Sequence, residues 1–305
     1  MKPFVQLRFA DVPETPRVPH AYATTEVRTV TIAWPAPTAI HVRVLGPVDA
    51  PPLLLVHGFM TSSYSWRYVF AELARDYRVY APDLPGAGRS DKPDRAYRAA
   101  DLAQAIGLVI DALGLRGARV IGNSLGGYLC MHLALHDPGA MSRLVNLHSP
   151  GVPSGRMWAL KAALKVVPGA ATIVRKLVWR DPERWVHDNV HYFDETLKSR
   201  EEHREYAAPL RTPEGVRAFY RMLAETLDPS DMRRFVATLK SDGFPIPLQL
   251  VYAKSDPMVP PSVGRALAKV LPTAAFVELP RGSHFAHVDA PDLFLAAVRP
   301  FLAGP

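Results

Sequence analysis

The chain has 305 residues, 48% hydrophobic and 21% charged, the balance of a soluble globular protein with core enough for one large α/β domain or two small ones. No apolar run approaches the ~20 residues of a membrane span, and the single Cys130 excludes an intrachain disulfide and any multi-cysteine metal site. The net charge of +7 raises nucleic acid or an anionic membrane surface, yet Lys and Arg are scattered. The densest run, Lys161 through Lys165, Arg175 and Lys176 to Arg180, reads as a solvated helix face. The start, Met1 to Arg8, lacks the apolar stretch of a secretory signal. Cytoplasmic residence, no nucleic-acid partner and no stable membrane insertion are expected, with the chain a monomer or homodimer.

The first 28 residues are proline-rich and weakly patterned, and read as an arm over the surface. Thr29–Trp34 and Ile40–Leu45 read as antiparallel strands around Pro35-Ala36-Pro37. Strand and helix then alternate. Strands are expected at Leu53–Val56, Arg78–Ala81, Ala118–Ile121 and Arg143–Leu147, and helices at Tyr64–Arg75, Ala99–Leu113 and Leu125–His136. Short apolar strands between amphipathic helices indicate a parallel sheet covered on both faces. From about Ser149 to Phe244 the rhythm breaks into helix rich in Trp, Tyr and Phe. Strands return at Pro247–Ala253 and Ala274–Leu279, with helices at Ser262–Leu271 and Pro291–Leu302. The organisation read from this is an arm (1–28), an α/β core (29–149 and 245–305) and a helical cap (150–244). Cys130, inside a helix, reads as a small buried hydrophobe.

Chemistry concentrates at Gly122-Asn123-Ser124-Leu125-Gly126. The apolar run Ala118–Ile121 precedes this G-x-S-x-G pattern and a helix follows it, so Ser124 falls on a sharp strand-to-helix turn that pushes its hydroxyl outward. The flanking glycines fit a crossing too close for a β-carbon. Ligands of open α/β sheets gather beyond the carboxyl ends of strands, where Asp256 and His284 also fall. A serine hydroxyl needs a base, and the base needs a carboxylate to fix its tautomer. The order Ser124, Asp256, His284 satisfies that requirement for a serine on such a turn. His57, His132, His148 and His287 compete for the base. His132 lies inside a helix, His287 lies a turn beyond His284, and His57 reads as a hydrogen-bonded structural residue. The backbone N–H groups of Leu125 and Phe59 are the expected donors to an oxyanion. The glycine-rich turn Asp83–Ser90 lacks the G-K-[ST] ending of a phosphate loop, and Asp83 reads as its stabiliser.

These residues resemble the α/β-hydrolase family. The similarity runs through Leu53–Phe59, Asp83–Ser90, Gly122–Gly127 and Gly282–Phe285, in order from about Thr29 onward. It implies an eight-stranded, mostly parallel sheet under a helical cap, with Ser124, Asp256 and His284 as triad, Phe59 and Leu125 as oxyanion donors, and no metal or organic cofactor. Within the family, His57–Arg67 and Ala81–Leu84 are similar to the haloalkane dehalogenase and epoxide hydrolase branch. Those enzymes carry an aspartate nucleophile, whose alkyl ester water can cleave; a serine alkylated in its place would be left as an inert ether. Dehalogenases also hold halide with an Asn and a Trp where this chain has Phe59 and Leu125. Dehalogenation and epoxide opening are therefore not expected.

The expected function is hydrolysis of carboxylic esters, including lactones, with an apolar small-molecule ester as substrate. The alternative is a C–C bond hydrolase of ring-fission products, similar at Gly122-Asn123-Ser124 with Gly126-Gly127. Those enzymes usually carry a tryptophan after the histidine, where this chain has Phe285. A third reading is a non-catalytic small-molecule binder on the same scaffold.

Overall fold

A sheet of eight strands organises the molecule, whose computed structural model describes residues 4–304. In chain order the strands are β1 (Glu26–Trp34), β2 (Ala36–Leu45), β3 (Pro52–Val56), β4 (Arg78–Pro82), β5 (Ala118–Asn123), β6 (Met141–Leu147), β7 (Leu248–Ala253) and β8 (Ala275–Leu279). Their spatial order is β1-β2-β4-β3-β5-β6-β7-β8. The hairpin β1–β2 and the pair β2–β4 are antiparallel, and all later pairings are parallel.

The central strands are apolar on both faces, as a sheet covered on two sides requires. Leu54, Val56 and Val120 face one apolar layer with α2 (Ala99–Leu113) and α3 (Leu125–His136). Leu53, Leu55 and Ile121 face the other, with the short α1 (Phe70–Leu73) and, near the C-terminus, Pro291–Ala303. Cys130 is buried in α3, and burial pushes its thiol up, away from thiolate chemistry.

Between β6 and β7 the chain leaves the sheet for six helices: α4 (Gly155–Val166), α5 (Ala170–Arg180), α6 (Pro182–Asn189), α7 (Arg200–Ala207), α8 (Pro213–Arg221) and α9 (Pro229–Asp242). They form a helical layer: Phe219 of α8 stacks on Phe59 in the loop after β3, and Phe235 of α9 packs against Tyr128 of α3. After β7 come α10 (Pro261–Val270), α11 (Ala286–Asp289) and α12 (Pro291–Ala303). Among the described residues, no single helix is long and apolar enough to cross a membrane.

Two expectations change. The helix expected over Tyr64–Arg75 is broken into a 3-10 turn, Ser63–Trp66, and α1. Tertiary contacts override its periodicity: the Ser63 N–H donates to Asp83 at 2.7 Å, and the Arg67 side chain is drawn into a buried ion pair with Glu202 of α7. The arm also ends earlier, because β1 begins at Glu26 and pairs with β2 along its whole length. The arm lies against the helical layer. Arg200 N–H donates to Pro13 O at 2.8 Å, the Arg200 guanidinium lies 3.7 Å from the Phe9 ring centroid, and His187 Nε2 sits 3.0 Å from Leu7 O.

The Arg67–Glu202 pair joins the two layers, with both side chains fully buried. Tyr192 Oη donates to Glu202 at 2.6 Å, and the guanidinium stacks between the rings of Tyr64 and Tyr68 at 4.6 and 4.5 Å. Removing one partner strands a desolvated charge, whereas removing both leaves an apolar gap of matched shape. Glu202→Ala is therefore expected to cost about 3–5 kcal/mol, and the Arg67→Met/Glu202→Leu double variant far less, read from urea unfolding.

Candidate active site

Ser124 sits between β5 and α3 with φ +52° and ψ −117°, a backbone conformation that side-chain-bearing residues rarely adopt. Such a residue stores about 1–3 kcal/mol of strain, held here by its surroundings. Its N–H donates to Leu147 O at 2.7 Å, and its carbonyl accepts from Tyr128 N at 3.1 Å, which starts α3. The glycines follow from the crossing. A β-carbon on Gly126 would lie 2.3 Å from Val56 O and 2.5 Å from His57 O, and one on Gly122 would lie 2.6 Å from the Gly127 backbone. Met60 and His148, also at positive φ, occupy neighbouring strand-end loops.

The three groups expected to act together are brought together. His284 Nε2 lies 2.7 Å from Ser124 Oγ, and His284 Nδ1 lies 2.8 Å from Asp256 Oδ2. Asp256 Oδ1 accepts from Met258 N at 2.7 Å and Val259 N at 3.0 Å, which fixes the carboxylate plane. Burial alone would raise the Asp256 carboxyl; the adjacent His284, His148 and the Val259 N–H outweigh it and hold it below its ordinary value. An ionised carboxylate accepts the Nδ1–H and leaves the Nε2 lone pair facing the serine hydroxyl.

The loop that carries Phe59 and the start of α3 at Leu125 both adjoin this serine. The β3 loop passes so close that a β-carbon on Gly58 would lie 3.1 Å from Ser124 Cβ. Leu125 is the first residue of α3, where N–H groups lack intrahelical partners and the helix dipole favours negative charge. Among the described residues, neither its N–H nor that of Phe59 donates to a protein acceptor. The Phe59 ring stacks on Phe219 of α8, centroids 5.0 Å apart, so the helical layer roofs this loop.

His57 has the structural role expected of it. Nε2 accepts from Leu84 N at 2.9 Å and Nδ1 donates to Gly58 O at 2.8 Å, while burial lowers its basicity. Asp83 likewise holds the glycine-rich turn, accepting from Ser63 N at 2.7 Å and Arg89 N at 2.8 Å. His132 packs against Phe235, and His287 is buried against Trp66.

Three residues take a supporting role that the sequence reading did not assign to them. His148 accepts from Ala253 N at 2.8 Å and donates from Nδ1 to His284 O at 3.0 Å, and burial lowers its pKa to about 4. Asn123 Nδ2 donates to the same carbonyl at 3.2 Å. Asp289 accepts from Ser283 N and, at 2.6 Å, from Phe193 N. The signal for Asp289 was an acid five residues past His284 and just before Ala290-Pro291; for His148 it was a histidine at the end of β6. His148, Asp256 and His284 each place a donor atom within 4.8 Å of the others. The bonds just described already commit those atoms, so no free set of lone pairs converges on a cation.

A family model of the alpha/beta hydrolase fold matches residues 51–291, and the chain belongs to that family. Among curated relatives it is 28% identical to a 2-hydroxymuconate semialdehyde hydrolase of Pseudomonas sp. (strain CF600), over 83% of this chain and 87% of that one. It is 29% identical to the magnesium-chelatase 30 kDa subunit of Rhodobacter capsulatus, over 85% and 89%. Among solved structures, the haloalkane dehalogenase DbeA of Bradyrhizobium elkani USDA94 matches with a TM-score of 0.75 at 26% identity, covering 92% of this chain and 98% of that one.

Two outcomes test how the site is built. Gly126→Ala is expected to lose about 3 kcal/mol or more through backbone collision, while Gly155→Ala, with open space around its β-carbon, leaves stability nearly unchanged in the same urea titration. Burial pushes the Asp289 carboxyl up to about 6 from 3.8. The unfolded chain thus loses this proton near pH 4 and the folded chain only near pH 6, so this group makes stability fall as pH rises through that window. Asp289→Asn is expected to flatten that fall, read as urea midpoints between pH 4 and 7.

Proposed function

We propose that the protein is a serine hydrolase of carboxylic esters, lactones included, acting through an acyl-enzyme on Ser124. The observation that carries this reading is the hydrogen-bonded series Ser124 Oγ, His284 Nε2, His284 Nδ1 and Asp256 Oδ2, at 2.7 and 2.8 Å. As Ser124 Oγ attacks the ester carbonyl, its proton passes to His284 Nε2. Asp256 holds the ring and stabilises the imidazolium. The Leu125 and Phe59 N–H groups receive the negative charge of the tetrahedral oxygen. His284 then returns the proton to the departing alcohol. Water, deprotonated by the same nitrogen, releases the acid and restores Ser124.

The substrate class follows from the surroundings. Phe59, in the loop beside Ser124, stacks on Phe219, Trp185 meets Phe219 edge-on at 6.2 Å, and Phe285 follows His284. Aromatic rings with few free polar groups favour an apolar acyl or alcohol moiety. A serine in place of an aspartate argues against the reaction named for DbeA, since an alkylated serine is an ether with no carbonyl for water to attack.

The likeness to a 2-hydroxymuconate semialdehyde hydrolase favours a second reading, cleavage of a C–C bond beside a ketone. That chemistry needs a cation for the substrate carboxylate. Arg175 and Arg180 are solvent-exposed, and Arg67 is fully buried and already paired with Glu202, which ranks this reading second. A panel of p-nitrophenyl esters assayed beside a ring-fission product separates the two. Ester turnover is expected to exceed C–C cleavage and to fall at least about 10³-fold in Ser124→Ala. Fast C–C cleavage with negligible ester turnover would overturn the choice.

A further inference from the structure

The helices α4 and α5 leave much of their apolar surface uncovered. Val166 is 75% exposed, Ile173 and Trp179 each 49% and Leu177 48%; Val167 and Leu160 are exposed as well. Most of the other large exposed apolar side chains lie singly elsewhere on the molecule, a common and uninformative state. The same two helices are strongly basic. Between Gly155 and Arg180 there are six Lys and Arg and no Asp or Glu, against a net charge of +7 for the whole chain. Lys161 is tied to Asp228 at 2.8 Å. Among the described residues, Arg156, Lys165, Arg175, Lys176 and Arg180 have no carboxylate partner. The sequence pattern suggested a solvated helix face; the structure places Ile173, Leu177 and Trp179 exposed among these cations.

We infer that α4 and α5 form a peripheral docking surface for an anionic lipid bilayer, with Val166, Ile173, Leu177 and Trp179 entering the interface and the basic side chains meeting lipid phosphates and carboxylates. Taken together the two helices are apolar enough for a span, but they meet at 105°, so the pair suits the plane of an interface. Long basic side chains reach headgroups while their stems lie on apolar surface, and tryptophan favours that depth. Nucleic acid would use the cations and leave the aliphatic groups in water. A second copy docking face to face would set five unpaired cations against five. The inner faces explain why the element can present these groups without unfolding. Val174 and Val178 pack into the cluster that holds Phe219, and Lys161 and Trp158 are held by Asp228 and Arg233 at the start of α9. The docking surface is thus the outer side of the layer whose inner side stacks on Phe59. This inference goes beyond the ester reading and stands without it.

The test is vesicle flotation with the full chain, so it needs no turnover. Vesicles of phosphatidylcholine with about 30% phosphatidylserine are compared with pure phosphatidylcholine, at low and high salt. Binding to the anionic vesicles is expected, weakened by salt. Lys165→Gln/Lys176→Gln is expected to lower the partition coefficient about 25-fold, near fivefold per cation, and Ile173→Ser/Leu177→Ser at least about tenfold. Circular dichroism confirms that each variant is folded. Four results would overturn the inference. Wild type could fail to float at low salt, or both variants could float as it does. A DNA or RNA duplex could be retained while vesicles are not. Sedimentation could show a dimer that Ile173→Ser/Leu177→Ser dissociates.

Discussion

The crossing of β5 and α3 is the constraint on which the molecule is built. The strand ends at Asn123 and the helix begins at Leu125, with only Ser124 between them, and the backbones of Val56, His57 and Gly127 lie too near for side chains at Gly122 and Gly126. Only a residue with positive φ joins them, and Ser124 takes that conformation at φ +52°. The strain is small beside the apolar layers packed on both faces of the sheet, so the sheet can hold it without loss of fold. What the strain yields is direction: a hydroxyl aimed away from the sheet, beside the start of a helix and over the loop that follows β3.

The opposing histidine is held by a different device. His284 comes from a loop, and loops are ordinarily the mobile part of a site. Its carbonyl accepts from both Asn123 and His148, while Asp289 anchors the preceding Ser283 N–H. Asn123 immediately precedes Ser124, so the loop that carries His284 is bonded to the turn that carries the hydroxyl. The 2.7 Å contact between Ser124 and His284 is the sum of these attachments. The helical layer is fastened through the buried Arg67–Glu202 pair, an arrangement that gains little net stability and strongly penalises any partial separation.

Much of this was legible in the sequence because it is local. The apolar runs of β3, β5 and β7 follow from burial on both faces, and Ala99–Leu113 carries a helical period that nothing interrupts. Ser124 could be read from its glycines, and Asp256 and His284 from their places just beyond strands. The parts that escaped depend on distant partners. Tyr64–Arg75 has a helical period, yet Asp83 and Glu202 pull it apart from twenty and more residues away. His148, Asn123 and Asp289 bond backbone groups of the loop that carries His284, the Ser283 N–H and the His284 O, and residue type alone does not say which backbone group a side chain will reach. The outward face of α5 mixes Ile173, Lys176 and Leu177, and only its packing reveals which of them remain uncovered.

The central claim is that Ser124 is a hydroxyl nucleophile activated by His284. A fluorophosphonate reacts covalently with such a group and mimics the tetrahedral intermediate. Peptide mapping by mass spectrometry after labelling should find the phosphonyl adduct on Ser124, lost in His284→Ala although the serine remains. A chain that stays unlabelled, or that labels equally well without His284, would contradict the account.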